Sequence, residues 1–142
     1  MTGLSSLGPP GPDLVVVDTD VGSFLFKRDS RAARYEPHLL GKISAQARAE
    51  LCSWPNQRNW GATRRQELEQ FLTPYVIEYP DDRLCRLYGE TVADARKRGY
   101  QVPASDAWHA VTALSLGVPL VTHNARNFQG IPALSLIFEP DP

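Results

Sequence analysis

The chain has 142 residues, and its 15 Lys and Arg stand against 16 Asp and Glu, a formal net charge of −1. That length suits one domain with one core, and a charge so near zero argues against a passive nucleic-acid binder with a basic surface. No apolar stretch approaches the roughly 20 residues of a membrane span. Two cysteines, Cys52 and Cys85, are too few for a disulfide framework and match no zinc spacing, so both read as reduced thiols of a cytoplasmic protein.

Residues 1–13 are rich in Gly, Pro and Ser and lack the basic flank and apolar core of a signal peptide. They read as a flexible N-terminal tail, leaving 14–142 as a single domain. Leu14 to Val17 is continuously apolar and β-branched, as in a central strand buried on both faces. Asp18 to Phe26 turns into a short helix with Val21, Phe24 and Leu25 on its apolar side. A second short, polar helix is expected from Arg28 to His38, then an extended piece at Lys42 and Ile43. Ser44 suits the N-cap of a helix that runs to about Trp54, where Pro55 should end it.

After a polar loop from Asn56 to Ala62, Thr63 to Leu72 reads as helix and Tyr75 to Tyr79 as strand. Asp81 and Asp82 cap a long helix, Arg83 to Arg98, with Leu84, Leu87, Tyr88, Val92 and Ala95 at helical spacing and Gly99 past its end. Pro103 to Leu116 is the next helix, closed by Gly117. Strands follow at Val118 to Thr122 and Leu134 to Phe138. Strands alternating with helices imply an α/β fold, three layers deep, with a parallel sheet between helices.

Candidate chemistry lies in the acids. Asp18 follows the first strand directly, and sites in open α/β sheets form beyond the carboxyl ends of strands. It suits a metal ligand and equally the N-cap of the next helix; Asp20 is an alternative cap. Glu50 borders the buried stripe of its helix, where a carboxylate needs a metal or an Arg beside it. Asp106 sits in the first turn of its helix, where an acid also complements the dipole. The small residues Ala110, Ala113 and Gly117 share its face, so that face can approach the sheet and carry Asp106 toward Asp18. Carboxylates gathered in this way hold Mg²⁺ or Mn²⁺. The amides Asn124 and Asn127 are weaker oxygen donors that suit turn formation as well. His109 and His123 read as hydrogen-bonding residues beside the site.

These pieces resemble the PIN-domain ribonucleases, in particular the VapC-like toxins of toxin–antitoxin pairs. The matching residues are Val15 to Thr19, Ile43-Ser44 with Glu50-Leu51, Pro103 to Leu114 around Asp106-Ala107-Trp108-His109, and Gly117 to Phe128. The resemblance implies a PIN-like fold and Mg²⁺-dependent hydrolysis of RNA phosphodiester bonds, with Mn²⁺ as a substitute. It implies Asp18, Glu50 and Asp106 as metal-binding acids, Asn124 as a further ligand, and Thr19, Asp20, Thr122 and Asn127 in support. It also implies a homodimer and a cognate antitoxin, with Phe24 and Phe26 on the first helices as a partner surface. Family members commonly carry another acid within residues 122–127, where this chain has only amides.

Two rival readings stand beside it. A PIN-like binding or regulatory module would keep the fold without efficient cleavage. A phosphatase of the haloacid dehalogenase type would use Asp18 as nucleophile and Asp20 as acid/base, but no Lys follows Thr122 as that motif order requires.

Overall fold

The three residues of β1, Val15–Val17, have no side-chain polarity, and all three are buried. In the computed structural model, which describes residues 15–27 and 41–138, they form the middle of a five-stranded sheet. Its other strands are β2 (Gly41–Ser44), β3 (Val76–Glu78), β4 (Leu120–Val121) and β5 (Leu136–Ile137), in the order β3-β2-β1-β4-β5. Every pairing is parallel, with Val17 opposite Ile43 on one side and Val121 on the other. The expected tail and the expected helix over residues 28–38 lie outside the described residues.

The period of two along β1 sorts its side chains into two layers. Val16 packs with Ala110, Ala113 and Leu120 on one face, joined by Phe128, Ile131 and Leu134. Val15 and Val17 pack with Val21 and Val121 on the other. A third cluster joins Phe26 to Ala47, Leu51, Leu68 and Leu72. The sheet therefore lies between helical layers, as the alternation of elements requires.

The helices are α1 (Thr19–Phe26), α2 (Ala45–Gln57), α3 (Ala62–Leu72), α4 (Asp82–Lys97) and α5 (Ala104–Leu116). Their starts follow the caps read from sequence. Asp18, Ser44 and Asp81 accept from the backbone N–H of Val21, Ala47 and Leu84, at 3.0, 3.0 and 2.8 Å. Gly117 closes α5 in the left-handed region at φ 68°. The small face of α5 does what its residues suggest: Ala110 and Ala113 are fully buried against β1 and β4.

Three expectations are corrected. Pro55 does not end α2 but sits buried in its last turn, and the helix runs on to Gln57. The missing N–H costs one bond, while the Pro55 carbonyl still accepts from Trp60 N–H at 3.0 Å and from the Arg65 guanidinium at 3.1 Å. Phe26, expected on an exposed partner surface, is 7% exposed and belongs to the core. β4 and β5 are also shorter than expected, two residues each.

Candidate active site at the strand ends

Asp18 leaves β1 with its backbone N–H bonded to the Val121 carbonyl at 3.1 Å, which fixes it to the carboxyl edge of the sheet. Both readings of this residue hold together. Its carboxylate caps α1, and the residue is 4% exposed. Burial pushes its pKa up to about 7, and the nearby charges of Asp20 and Asp106 add to the rise. The Thr122 hydroxyl and the Val21 N–H pull the other way. Thr122 is itself fully buried and accepts from the Asn124 backbone N–H at 3.0 Å.

Glu50 lies half-buried on α2. Burial raises its pKa, as do the charges of Asp106 and Asp20, and the Thr19 hydroxyl opposes them. Its Oε1 is buried without a hydrogen-bond partner, and the nearest basic group, His109 Nε2, stands 3.7 Å away. Asp106 is raised by burial and by Asp20, and the Asn127 side chain opposes this by donating to it at 2.9 Å. Asn124 donates in the same way to Asp20.

The structure thus couples four acids. Asp18 and Asp20 come from the β1–α1 junction, Glu50 from α2 and Asp106 from α5; besides burial, Asp20 raises all three of the others, and Asp106 also raises Asp18 and Glu50. The two amides enter as donors to the acids. Among the described residues, no three Asp, Glu, His or Cys side chains stand close enough to form a finished chelate. The donor set nevertheless fits a hard divalent cation. It is all oxygen, its members repel one another, and one buried carboxylate oxygen is unsatisfied.

Beneath the acids lies a network whose extent the sequence concealed. His109 on α5 is 2% exposed, and burial pushes its pKa down to about 4, so it is neutral at pH 7. Ser44 Oγ lies 2.8 Å from its Nδ1, and Thr19 Oγ1 lies 3.4 Å from its Nε2. A carboxylate beside Nε2 favours the proton there. Ser44 then donates to Nδ1, Nε2–H points at Thr19 and Glu50, and the Thr19 hydroxyl is left to face Glu50. One imidazole so ties α1, the β2–α2 junction and α5 to the acid that borders them. Ser44 reads from sequence as a cap alone; its partner is 65 residues away.

Comparison with known proteins bears on the family and the fold. The family model described as "PIN domain" matches residues 15–134. Over 66 residues the chain is 39% identical to Ribonuclease VapC1 of Haemophilus influenzae, which covers 46% of this chain and 49% of the relative. The match therefore spans about half the length of that relative. Among solved structures, VapBC2 from Rickettsia felis bound to a promoter DNA fragment superposes with TM-score 0.78 at 21% identity, covering 89% of this chain and 99% of that one. VapBC-1 from nontypeable Haemophilus influenzae gives TM-score 0.71 at 25% identity, covering 88% and 97%. With the family model spanning all five strands but the last, and the sheet order and acid-bearing edge in place, the chain belongs to the PIN-domain family.

Proposed function

We propose that this protein is a metal-dependent endoribonuclease and the toxin of a toxin–antitoxin pair. The observation that carries the reading is the acid cluster at the strand ends, in which burial and neighbouring acids raise Asp18, Glu50 and Asp106 from their ordinary values and a buried Glu50 oxygen lacks a partner. Its similarity to a ribonuclease supports the substrate class, and its likeness to toxin–antitoxin complexes supports a protein inhibitor as partner.

Asp18, Glu50 and Asp106 would hold Mg²⁺ or Mn²⁺, with Asp20 at the margin. Such an ion acidifies water and offsets the negative charge that builds on a phosphodiester during hydrolysis. The chain's own groups set the acids in place. Thr122 and the Val21 N–H aim Asp18, Asn127 steadies Asp106, and Asn124 steadies Asp20. His109 stays neutral and holds Thr19 toward Glu50.

The test is incubation with structured RNA in Mg²⁺ or Mn²⁺, beside EDTA and Asp18→Asn controls. Cutting that needs metal and is lost in the variant supports the reading. A wild-type preparation, free of any bound inhibitor, that cuts nothing with either metal would sink it. One observation favours a second reading, a binding module of the same fold: the amides at 124 and 127 meet the acids as donors, where a further acid would supply another ligand. The dehalogenase-type rival loses its footing once the chain is placed among PIN domains.

A further inference from the structure

The chain is nearly neutral, yet the corner between α1, α2 and α3 is locally cationic and aromatic. Lys27, just past α1, sits 5.3 Å from the Trp54 ring centre, and the Arg58 guanidinium sits 4.5 Å from the same ring. Arg64 lies 4.4 Å from the ring centre of Phe26 and 5.0 Å from that of Trp60. Phe26 and Trp60 stack at 5.7 Å and are anchored in the core cluster. Lys27 and Arg58 are exposed, and among the described residues neither has an acid within ion-pair distance. A concavity of about 600 Å³, lined by Lys27, Arg64, Glu67 and Phe71 among others, lies alongside.

Two further facts make this a built feature. The turn that carries Arg58 and Trp60 is held by one side chain, with Arg65 donating to the carbonyls of Trp60 and Pro55 at 2.9 and 3.1 Å and to Asn56 at 3.3 Å. The feature also runs from the acids. Glu50 and Trp54 are i, i+4 neighbours on α2, and Arg58, which caps the end of that helix, lies about 12 Å along the axis from Glu50. Rings fixed in a core restrict the cations above them, which lowers the entropy lost when those cations bind an anion. The Arg58 guanidinium keeps its N–H edge for phosphate oxygens, while Arg64 shares its edge with Glu67, whose Oε1 accepts from it at 3.3 Å.

We propose that Lys27, Arg58 and Arg64 form a phosphate-binding track that grips a single-stranded stretch of RNA beside the acid cluster. The track deepens the ribonuclease reading and rests on it. A polyanionic strand suits cations drawn from three segments, Lys27 past α1, Arg58 at the end of α2 and Arg64 on α3, because its charge repeats along its length.

The test measures binding apart from cutting. A fluorescent 2′-O-methyl RNA strand, which resists hydrolysis, is titrated in EDTA with the full chain, with the Lys27→Glu/Arg58→Glu double variant, and with Arg96→Glu on α4 as control. Circular dichroism checks that each is folded. The double variant should bind at least tenfold more weakly, and its log K against log [salt] should be flatter by about 1.4, at about 0.7 for each lost phosphate contact. The control should match wild type. Equal affinity and equal salt slope in the double variant, in a protein that still cuts RNA, would overturn the track and leave the nuclease reading standing. If the double variant keeps RNA but loses an acidic protein partner, the surface is a protein-docking site and the proposal fails. A wild type that neither binds nor cuts RNA fails with the nuclease reading itself.

Discussion

Asp18 is asked to cap a helix and to carry charge where water does not reach. Because its folded pKa is raised to about 7 from an ordinary value of 3.8, its effect on stability has a definite sign. A raised carboxylate favours folding fully below pH 4 and loses that contribution as pH climbs toward 7. Asp18→Asn keeps the cap, since Asn also accepts from Val21, and removes the charge. In metal-free buffer its stability gain over wild type should therefore be near zero at pH 4, grow up to about pH 7 and level off above, reaching on the order of 2–4 kcal/mol. Urea unfolding from pH 4 to 8 checks this, and a pH-independent difference would show that the buried charge is not the cause. His109 has the opposite sign. Its pKa is depressed to about 4, so the stability it confers is present above pH 6.5 and lost on acidification toward 4. His109→Ala should cost about 3 kcal/mol at pH 7 by opening a cavity and stranding the Ser44 and Thr19 hydroxyls. The loss should shrink toward pH 4.

Among the elements, α2 shows why a proline rule misled. Proline forbids a helix interior because it removes a bond to the preceding turn and crowds it. In the last turn only the bond to the Leu51 carbonyl is lost, and Arg65, ten residues on, secures the helix end through the Pro55 and Trp60 carbonyls. That compensation is tertiary and cannot be read locally. A comparable constraint acts at Gly130, which accepts from Arg98 at 2.6 Å. A Cβ there would stand 2.7 Å from Tyr100 Cβ and 3.2 Å from Ala95 Cβ. Gly130→Ala should destabilise by about 1–3 kcal/mol through displacement of Tyr100 and the end of α4. A thermal melt tests it, and an unchanged midpoint would mean that this corner yields freely.

For the molecule as a whole, burial of the acids and their mutual repulsion work against the fold. Burial, with repulsion added to it, raises three carboxylates, and on the proposed reading a bound cation would offset that cost and stabilise the fold. Mg²⁺ or Mn²⁺ should raise the melting temperature of wild type and leave Asp18→Asn unmoved, a readout independent of RNA. At tenfold excess over the dissociation constant the gain is about 1.4 kcal/mol. Equal shifts in both proteins would place the ion elsewhere.

The sequence by itself determined the apolar run of β1, the caps at Asp18, Ser44 and Asp81, the small face of α5 and the parallel α/β class. Each depends on neighbours within a few positions, where periodicity and capping chemistry act. The acids were legible as candidates for a related reason, since each follows a strand or borders a buried helix stripe. Tertiary structure alone decided the rest. It seated Pro55 inside a helix, took Phe26 into the core, and let His109 join hydroxyls 65 and 90 residues away. It also set cations from three segments over aromatic rings. Those outcomes are fixed by which faces of distant elements meet, and no local pattern carries that information.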